Sequence, residues 1–351
     1  MELLCNAPPH ASVPERYIFP PEKRAAMELD GVDGPDDGVT LPVVDLNRAA
    51  LSGDEGLRQR VAAEIVRAGK EFGFFQVVNH GVGEDVVRGF RDAAAEFFAM
   101  PADKKLPYCS NDQSKPFRLA TSTTYDRGET RYWLDYLKLQ CHPVSDELVQ
   151  HWPTEPTSFR PRLTEFSEAV HELAQTLLRL IAEGLGLSAS FFADDLSGGE
   201  TQMNINYYPP CPDPSLTLGL LPHCDRHLLT VLSQGDIAGL QARHNGRWLL
   251  VRPVPGAFVI NFGHQMEIIT NGALASVEHR AVTNSAETRM SVATLIMPKM
   301  DCRIGPAPEM VDEATNPAKF SEFVFSEFMD AYYTAAASRE DVLECFRIHE
   351  N

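Results

Sequence analysis

From about residue 200 onward the chain is a succession of short β-rich runs separated by turn signals: MNINYY, LLTVLSQ, GLQAR, RWLLVR, AFVINF, VEHRAVT and MSVATLIM. Each is too short for a helix that pays back its nucleation, and each is rich in the branched and aromatic residues that suit a pleated surface. Asn245-Gly246 lies between GLQARH and RWLLV, the composition of a tight type I′ hairpin. This many short strands in close succession predict a sandwich or barrel.

Upstream the period changes from two to about 3.6. Leu57, Val61, Ile65 and Ala68 fall on one helical face. A second helix is predicted over 83–99, with Val86, Phe90, Phe97 and Phe98 inward and Pro101 just past its end. A third, over 161–184, repeats apolar residues at Leu163, Phe166, Val170, Leu173, Leu177 and Ile181. LPVVDL (41–46) and FGFFQVVNHG (72–81) read as strands, and 317–345 reads as a closing helix carrying Phe320, Phe323, Val324, Phe328 and Tyr332. Residues 1–40 are rich in Pro, Gly and Asp and predict an extended arm. The expected organisation is therefore arm (1–40), helix-rich region (41–195), β-rich core (196–310) and helical closing segment (311–351). Strands and helices do not alternate regularly, which disfavours a doubly wound parallel sheet.

Charge narrows the function. With 49 acidic against 31 basic side chains the formal charge is -18, the wrong sign for attracting phosphate backbones or anionic lipid. No run approaches the roughly 18 apolar residues of a membrane-spanning helix, and MELLCNAPPH has no basic stretch leading into an apolar one. The seven scattered cysteines form no CxxC pair and suit free thiols in a reducing compartment. The expectation is a cytoplasmic protein, with the nucleus as a second location, acting as a monomer without nucleic acid or membrane.

The chemistry lies in the β-rich half. His223-Cys224-Asp225 sits where a strand is expected, so the imidazole and the carboxylate project to one face and Cys224 to the other. His279, on another strand, can supply a second nitrogen. Two histidines and one carboxylate on one face of a metal leave positions open, the arrangement used by non-haem Fe(II) oxygenases. HxD alone recurs by chance; two further pairs give it weight. Arg289 and Ser291 straddle Met290, placing a guanidinium fork beside a hydroxyl, a site for a buried carboxylate. Asn206 and Tyr208 likewise share a face and can support the same anion.

These segments resemble the plant-type 2-oxoglutarate- and Fe(II)-dependent dioxygenases of small-molecule metabolism. FGFFQVVNHGV, NYYPPCPDPSLTLGL, HCD, INFG, TNG, VEHRAVTN and RMSVATLIMP carry the resemblance, which extends from about residue 40 to about 345. His279 follows Asp225 by 54 residues and Arg289 follows His279 by 10, the family's register. The resemblance implies a mainly β fold with flanking α-helices around a double-stranded β-helix (jelly-roll) core. It implies iron ligands His223, Asp225 and His279, and a 2-oxoglutarate anchor of Arg289 and Ser291 supported by Tyr208 and Asn206. The implied cofactors are Fe(II), 2-oxoglutarate and O₂, with ascorbate as an accessory reductant. Three positions depart from the common pattern: Cys224 replaces a hydroxyl residue, His264 stands where many relatives have aspartate, and His227 shares parity with the triad. His264 is read as a loop residue near the cavity and His227 as a rim residue.

Strand parity extends the cavity wall to Asn204, Leu295 and Met297, and the resemblance suggests that Tyr125, Phe320 and Phe323 cover the opening. Leu and Met in the wall favour a partly apolar small molecule, such as a phenolic, hormone, alkaloid or aromatic xenobiotic. The expected reaction is hydroxylation or desaturation with release of succinate and CO₂. Two alternatives are an ascorbate-dependent oxidase on the same scaffold and a catalytically silent jelly-roll binding protein.

Overall fold

The computed structural model describes residues 3–7, 10–24, 39–47, 54–112, 115–122, 130–334 and 339–349. Its first strands are β1 (Val43–Asp45), β2 (Phe74–Val78), β3 (Arg118–Thr121), β4 (Asp135–His142) and β5 (Thr201–Tyr208). The later ones are β6 (Leu220–His223), β7 (Leu229–Ser233), β8 (Leu240–His244), β9 (Arg247–Leu250), β10 (Phe258–Phe262), β11 (His279–Ala281) and β12 (Arg289–Ile296). They form an eight-stranded sheet, ordered β1-β2-β10-β7-β12-β5-β4-β3, and a four-stranded sheet, ordered β6-β11-β8-β9. All neighbouring pairs are antiparallel except β1 and β2. The β8–β9 hairpin turns at Asn245 and Gly246, both with positive φ (48° and 79°), as a type I′ turn demands.

Alternation along the strands divides the large sheet into two functions. Ile205, Val231, Ile260 and Val292 point to one face and join the main apolar core. On that face lie α1 (Glu55–Phe72), α2 (Glu84–Ala99) and α3 (Phe159–Gly184), which contribute Ile65, Phe90, Phe97, Phe166 and Leu177. A fully buried side chain of this size contributes about 1.5–3 kcal/mol, so this layer anchors the sheet. The opposite face carries Asn204, Asn206, Ser291, Ala293, Thr230 and Asn261, which line a cavity that residues of the small sheet close from the other side.

Local signals set the helix ends. The Asp54 carboxylate accepts from the Leu57 amide at the start of α1, and Gly73 ends that helix in the left-handed conformation (φ 65°). Pro101 follows α2, as the sequence predicts. One expectation changes. The closing segment is not one helix: Phe323–Val324 pairs as a strand with Arg303–Ile304, Phe320 bridges Arg347, and helix begins only at Phe325, running to Thr334. Alternating burial of Phe323 and exposure-prone neighbours suits that pairing better than a helical turn. The start of the chain is docked on the body, because the Leu4 and Cys5 amides donate to the buried Asp135 carboxylate at 3.1 and 2.7 Å. No helix among the described residues is long and apolar enough to cross a membrane.

Candidate active site

His223 ends β6 and His279 begins β11, and the two are directly paired across the small sheet. Their rings lie 4.2 Å apart. Asp225 lies two residues beyond the end of β6, in a stretch without regular structure, and its carboxylate faces the two histidines. The nearest ligand atoms of His223, Asp225 and His279 all fall within 4.8 Å of one another. Asp225 Oδ1 is 3.7 Å from His223 Nε2 and 3.9 Å from His279 Nε2.

The surroundings orient these atoms for a metal. His223 Nδ1 lies 2.9 Å from the Leu221 carbonyl and His279 Nδ1 lies 3.1 Å from the Val277 carbonyl. With the proton on Nδ1, each ring donates to its carbonyl and turns the Nε2 lone pair inward. Asp225 Oδ2 accepts from Thr230 Oγ1 (2.5 Å) and Asn261 Nδ2 (2.7 Å), which leaves Oδ1 facing the imidazoles. Burial, then the proximity of His279, pushes His223 down to about 4, so its ring is neutral near pH 7. Burial alone would raise the Asp225 carboxyl, but His227, His279 and His223 together hold it well below the usual carboxylate range. Two imidazoles and one carboxylate, each oriented by a second hydrogen bond, fit a ferrous ion.

The HCDRH loop is held by the turn after β10. The His264 amide donates to Asp225 O at 2.8 Å, the Gln265 amide to His227 O at 3.3 Å, and the Gln265 side chain to Arg226 O at 2.9 Å. His264 thus belongs to a buried clamp in α4 (His264–Ile269), packed against Phe328, and does not reach the cavity. His227 is not at the rim: it is buried, with Nε2 3.6 Å from Asp225 Oδ1. Cys224 points away, its thiol directed at the Ser276 carbonyl. Close approach explains Gly263, where a Cβ would lie 1.8 Å from His227 O. Gly263→Ala should push the loop outward, lowering stability by at least about 1–3 kcal/mol and weakening metal affinity by about 10- to 100-fold. Thermal melts and Mn(II) titration measure the two effects.

At the other end of the cavity, Arg289 pairs with Tyr208 and Ser291 with Asn206 across β12 and β5. Arg289 is 2% exposed, donates through Nε to Ile237 O at 3.2 Å, and lies over the Tyr208 ring. The Tyr208 hydroxyl is within reach of Ser291 and Arg289. Among the described residues no carboxylate pairs with this guanidinium, which leaves it able to grip an incoming one.

Asn204 and Leu295 line the cavity, as does Ala293. Met297 does not: β12 ends at Ile296, and Met297 packs against the main core. Phe320 and Phe323 are also in that core and do not border the cavity; Tyr332 and Tyr333 from the last long helix do. Tyr125 lies outside the described residues. Sequence reasoning missed Thr230 and Asn261, although the two are cross-strand partners and each is a polar residue inside an otherwise apolar run. It also missed Arg118 and Lys138, whose strands carry no recognised motif, and Arg226, which directly follows the HCD motif.

A jelly roll with an inward His-Asp-His cluster opposite a buried arginine defines a non-haem iron oxygenase of the 2-oxoglutarate-using class. Residues 199–298 match the model of the 2OG-Fe(II) oxygenase superfamily, and residues 41–161 match that described as non-haem dioxygenase in morphine synthesis N-terminal. The chain is 42% identical to 2'-deoxymugineic-acid 2'-dioxygenase of Hordeum vulgare, over 95% of this chain and 94% of that protein. It is 37% identical to flavanone 3-dioxygenase 2 of Oryza sativa subsp. japonica, over 96% and 95%. The crystal structure of JOX2 in complex with 2OG, Fe and JA superposes with a TM-score of 0.82 at 31% identity, covering 99% of this chain and 96% of that one. The chain belongs to the 2OG-Fe(II) oxygenase superfamily. It is a dioxygenase of small molecules that uses Fe(II), 2-oxoglutarate and O₂.

Proposed function

We propose that His223 Nε2, Asp225 Oδ1 and His279 Nε2 hold the iron, and that Arg289 and Ser291, with Tyr208 and Asn206, hold the distal carboxylate of 2-oxoglutarate. The observation that carries this reading is the placement of the three-ligand cluster and the buried Arg289 in one cavity. Iron bound there would supply the activation of O₂ that couples conversion of 2-oxoglutarate to succinate and CO₂ with oxidation of a substrate C–H bond. The chain's own residues supply binding and orientation. Arg289 fixes the far end of the keto acid by paired hydrogen bonds, and Tyr208 and Ser291 add donors at the same end. Thr230 and Asn261 keep the Asp225 carboxylate from rotating. Leu232, Leu240 and Phe74 in the lining exclude water and strengthen these polar contacts.

The substrate is read as a plant small molecule, hydroxylated or desaturated, in line with relatives named for deoxymugineic acid, a flavanone and hyoscyamine. The reading includes a monomer in the cytoplasm that binds no nucleic acid, the last in keeping with the charge of -18. Candidate small molecules incubated with Fe(II), 2-oxoglutarate and O₂ should yield succinate and, on hydroxylation, a product heavier by one oxygen atom. Substrate oxidation with ascorbate and no succinate would favour an oxidase instead, and ligand affinity indifferent to chelation of the metal would favour a binding protein.

A further inference from the structure

The chain as a whole is strongly acidic, but its cavity is not. Arg118, Lys138, Arg226, Arg280 and Arg289 border it, against one carboxylate, Asp225. Arg289 is taken up by the cosubstrate in the reading above, and Arg280 donates to Gln241 and lies over the Trp248 ring. Arg118 and Lys138 are different. They are directly opposite each other on β3 and β4, on the cavity face of the large sheet. Like charges in that position repel. Arg118 is 9% exposed; it donates to the Tyr136 hydroxyl, and its Nε is buried without an acceptor. Among the described residues neither side chain has a carboxylate partner.

The pair is also too far along the sheet to serve 2-oxoglutarate. Lys138 is opposite Asn204, whereas Arg289 is opposite Tyr208, four residues further along β5. At about 3.3 Å per residue that is roughly 13 Å, longer than a five-carbon diacid anchored on Arg289 and reaching the iron ligands. Arg226 approaches the same end of the cavity, with Nη2 3.4 Å from Gln202 Oε1 and its guanidinium over the rings of Tyr332 and Tyr333.

We propose that the primary substrate is an organic acid whose carboxylate binds between Arg118 and Lys138, beside Arg226, at the end of the cavity away from Arg289. The inference rests on the functional reading above and names the substrate class it left open. A carboxylate there would accept from the Arg118 fork and the Lys138 ammonium and remove their mutual repulsion. Burial, then Arg226 and Arg118, pulls Lys138 down to about 8, a penalty on the ammonium that a carboxylate bound beside it would offset. The apolar part of the acid would lie along Ala293, Leu295 and Leu232 toward the iron ligands.

The test uses full-length protein loaded with Mn(II) and saturated with 2-oxoglutarate. It is titrated calorimetrically with 2'-deoxymugineic acid, jasmonic acid and indole-3-acetic acid, each beside its methyl ester, and with a neutral flavanone. At least one acid should bind, and at least about tenfold more tightly than its ester. Lys138→Met and Arg118→Gln should each weaken that acid by about tenfold or more, leaving the ester and 2-oxoglutarate within about twofold. Failure of every acid to bind, equal binding of acid and ester, preference for the flavanone, or equal loss of acid and ester in Lys138→Met would overturn the proposal. Loss of 2-oxoglutarate binding in the wild-type protein would instead overturn the cosubstrate assignment, so the two failures are separable.

Discussion

Asp225→Ala should reduce turnover by more than about 10³-fold, the scale expected when several kcal/mol of metal-dependent stabilisation is removed. The size of the effect follows from what the carboxylate does. It is the anionic member of the three-ligand cluster, so its loss leaves an imidazole pair with far weaker hold on a divalent cation. It also removes the acceptor of Thr230 and Asn261, two buried donors that then face no partner. Succinate release and Fe(II) titration should fall together, while a far-UV spectrum stays unchanged. Activity within tenfold of wild type would remove Asp225 from the iron site.

Arg289→Ala should act on the cosubstrate and leave the metal cluster intact. A buried carboxylate deprived of its guanidinium costs about 3–5 kcal/mol, equivalent to a loss of two to three and a half powers of ten in affinity. Burial lowers Arg289 itself below its usual value, a penalty on its charged form that a bound carboxylate offsets. The apparent affinity for 2-oxoglutarate should fall by that factor, with Mn(II) affinity unchanged. Arg289→Lys should recover only part of the loss, because an ammonium cannot form the paired fork. An unchanged 2-oxoglutarate affinity in Arg289→Ala would remove the residue from that role.

Much of this arrangement is legible in the sequence. Period-two runs after residue 200 predict the strands and put Arg289 with Ser291, and Asn206 with Tyr208, on one face; the register that sets Arg289 opposite Tyr208 and Ser291 opposite Asn206 comes from the fold. What parity could not show is where strands stop. Met297 was assigned to the wall because it continues the alternation of Ser291, Ala293 and Leu295, but β12 ends one residue earlier. Asp225 was given the right direction by an argument from a strand that in fact ends at His223. The family resemblance suggests Phe320 and Phe323 at the opening, whereas strand pairing of Phe323 with Ile304 and a bridge from Phe320 to Arg347 send both into the core.

The cationic end of the cavity was hidden for another reason. Arg118 and Lys138 are 20 residues apart in stretches without motifs, and only the β3–β4 register puts them face to face. A net charge of -18 argues against a cationic surface, but it says nothing about the sign of a small enclosed region. His227 and His264 illustrate the same limit. Parity puts His227 at the rim and the family pattern puts His264 on a loop near the cavity; both are buried, and the turn after β10 donates to the carbonyls of Asp225 and His227.

Every assignment above depends on one metal ion binding to His223, Asp225 and His279 in the same cavity as a keto acid held by Arg289. A crystal structure of the protein grown anaerobically with Fe(II) and 2-oxoglutarate, with diffraction recorded on both sides of the iron absorption edge, tests it directly. A single anomalous peak bonded to His223 Nε2, Asp225 Oδ1 and His279 Nε2 is expected, with the distal carboxylate of 2-oxoglutarate on Arg289 and Ser291. An iron peak on other residues, or a keto acid bound away from Arg289, would contradict it.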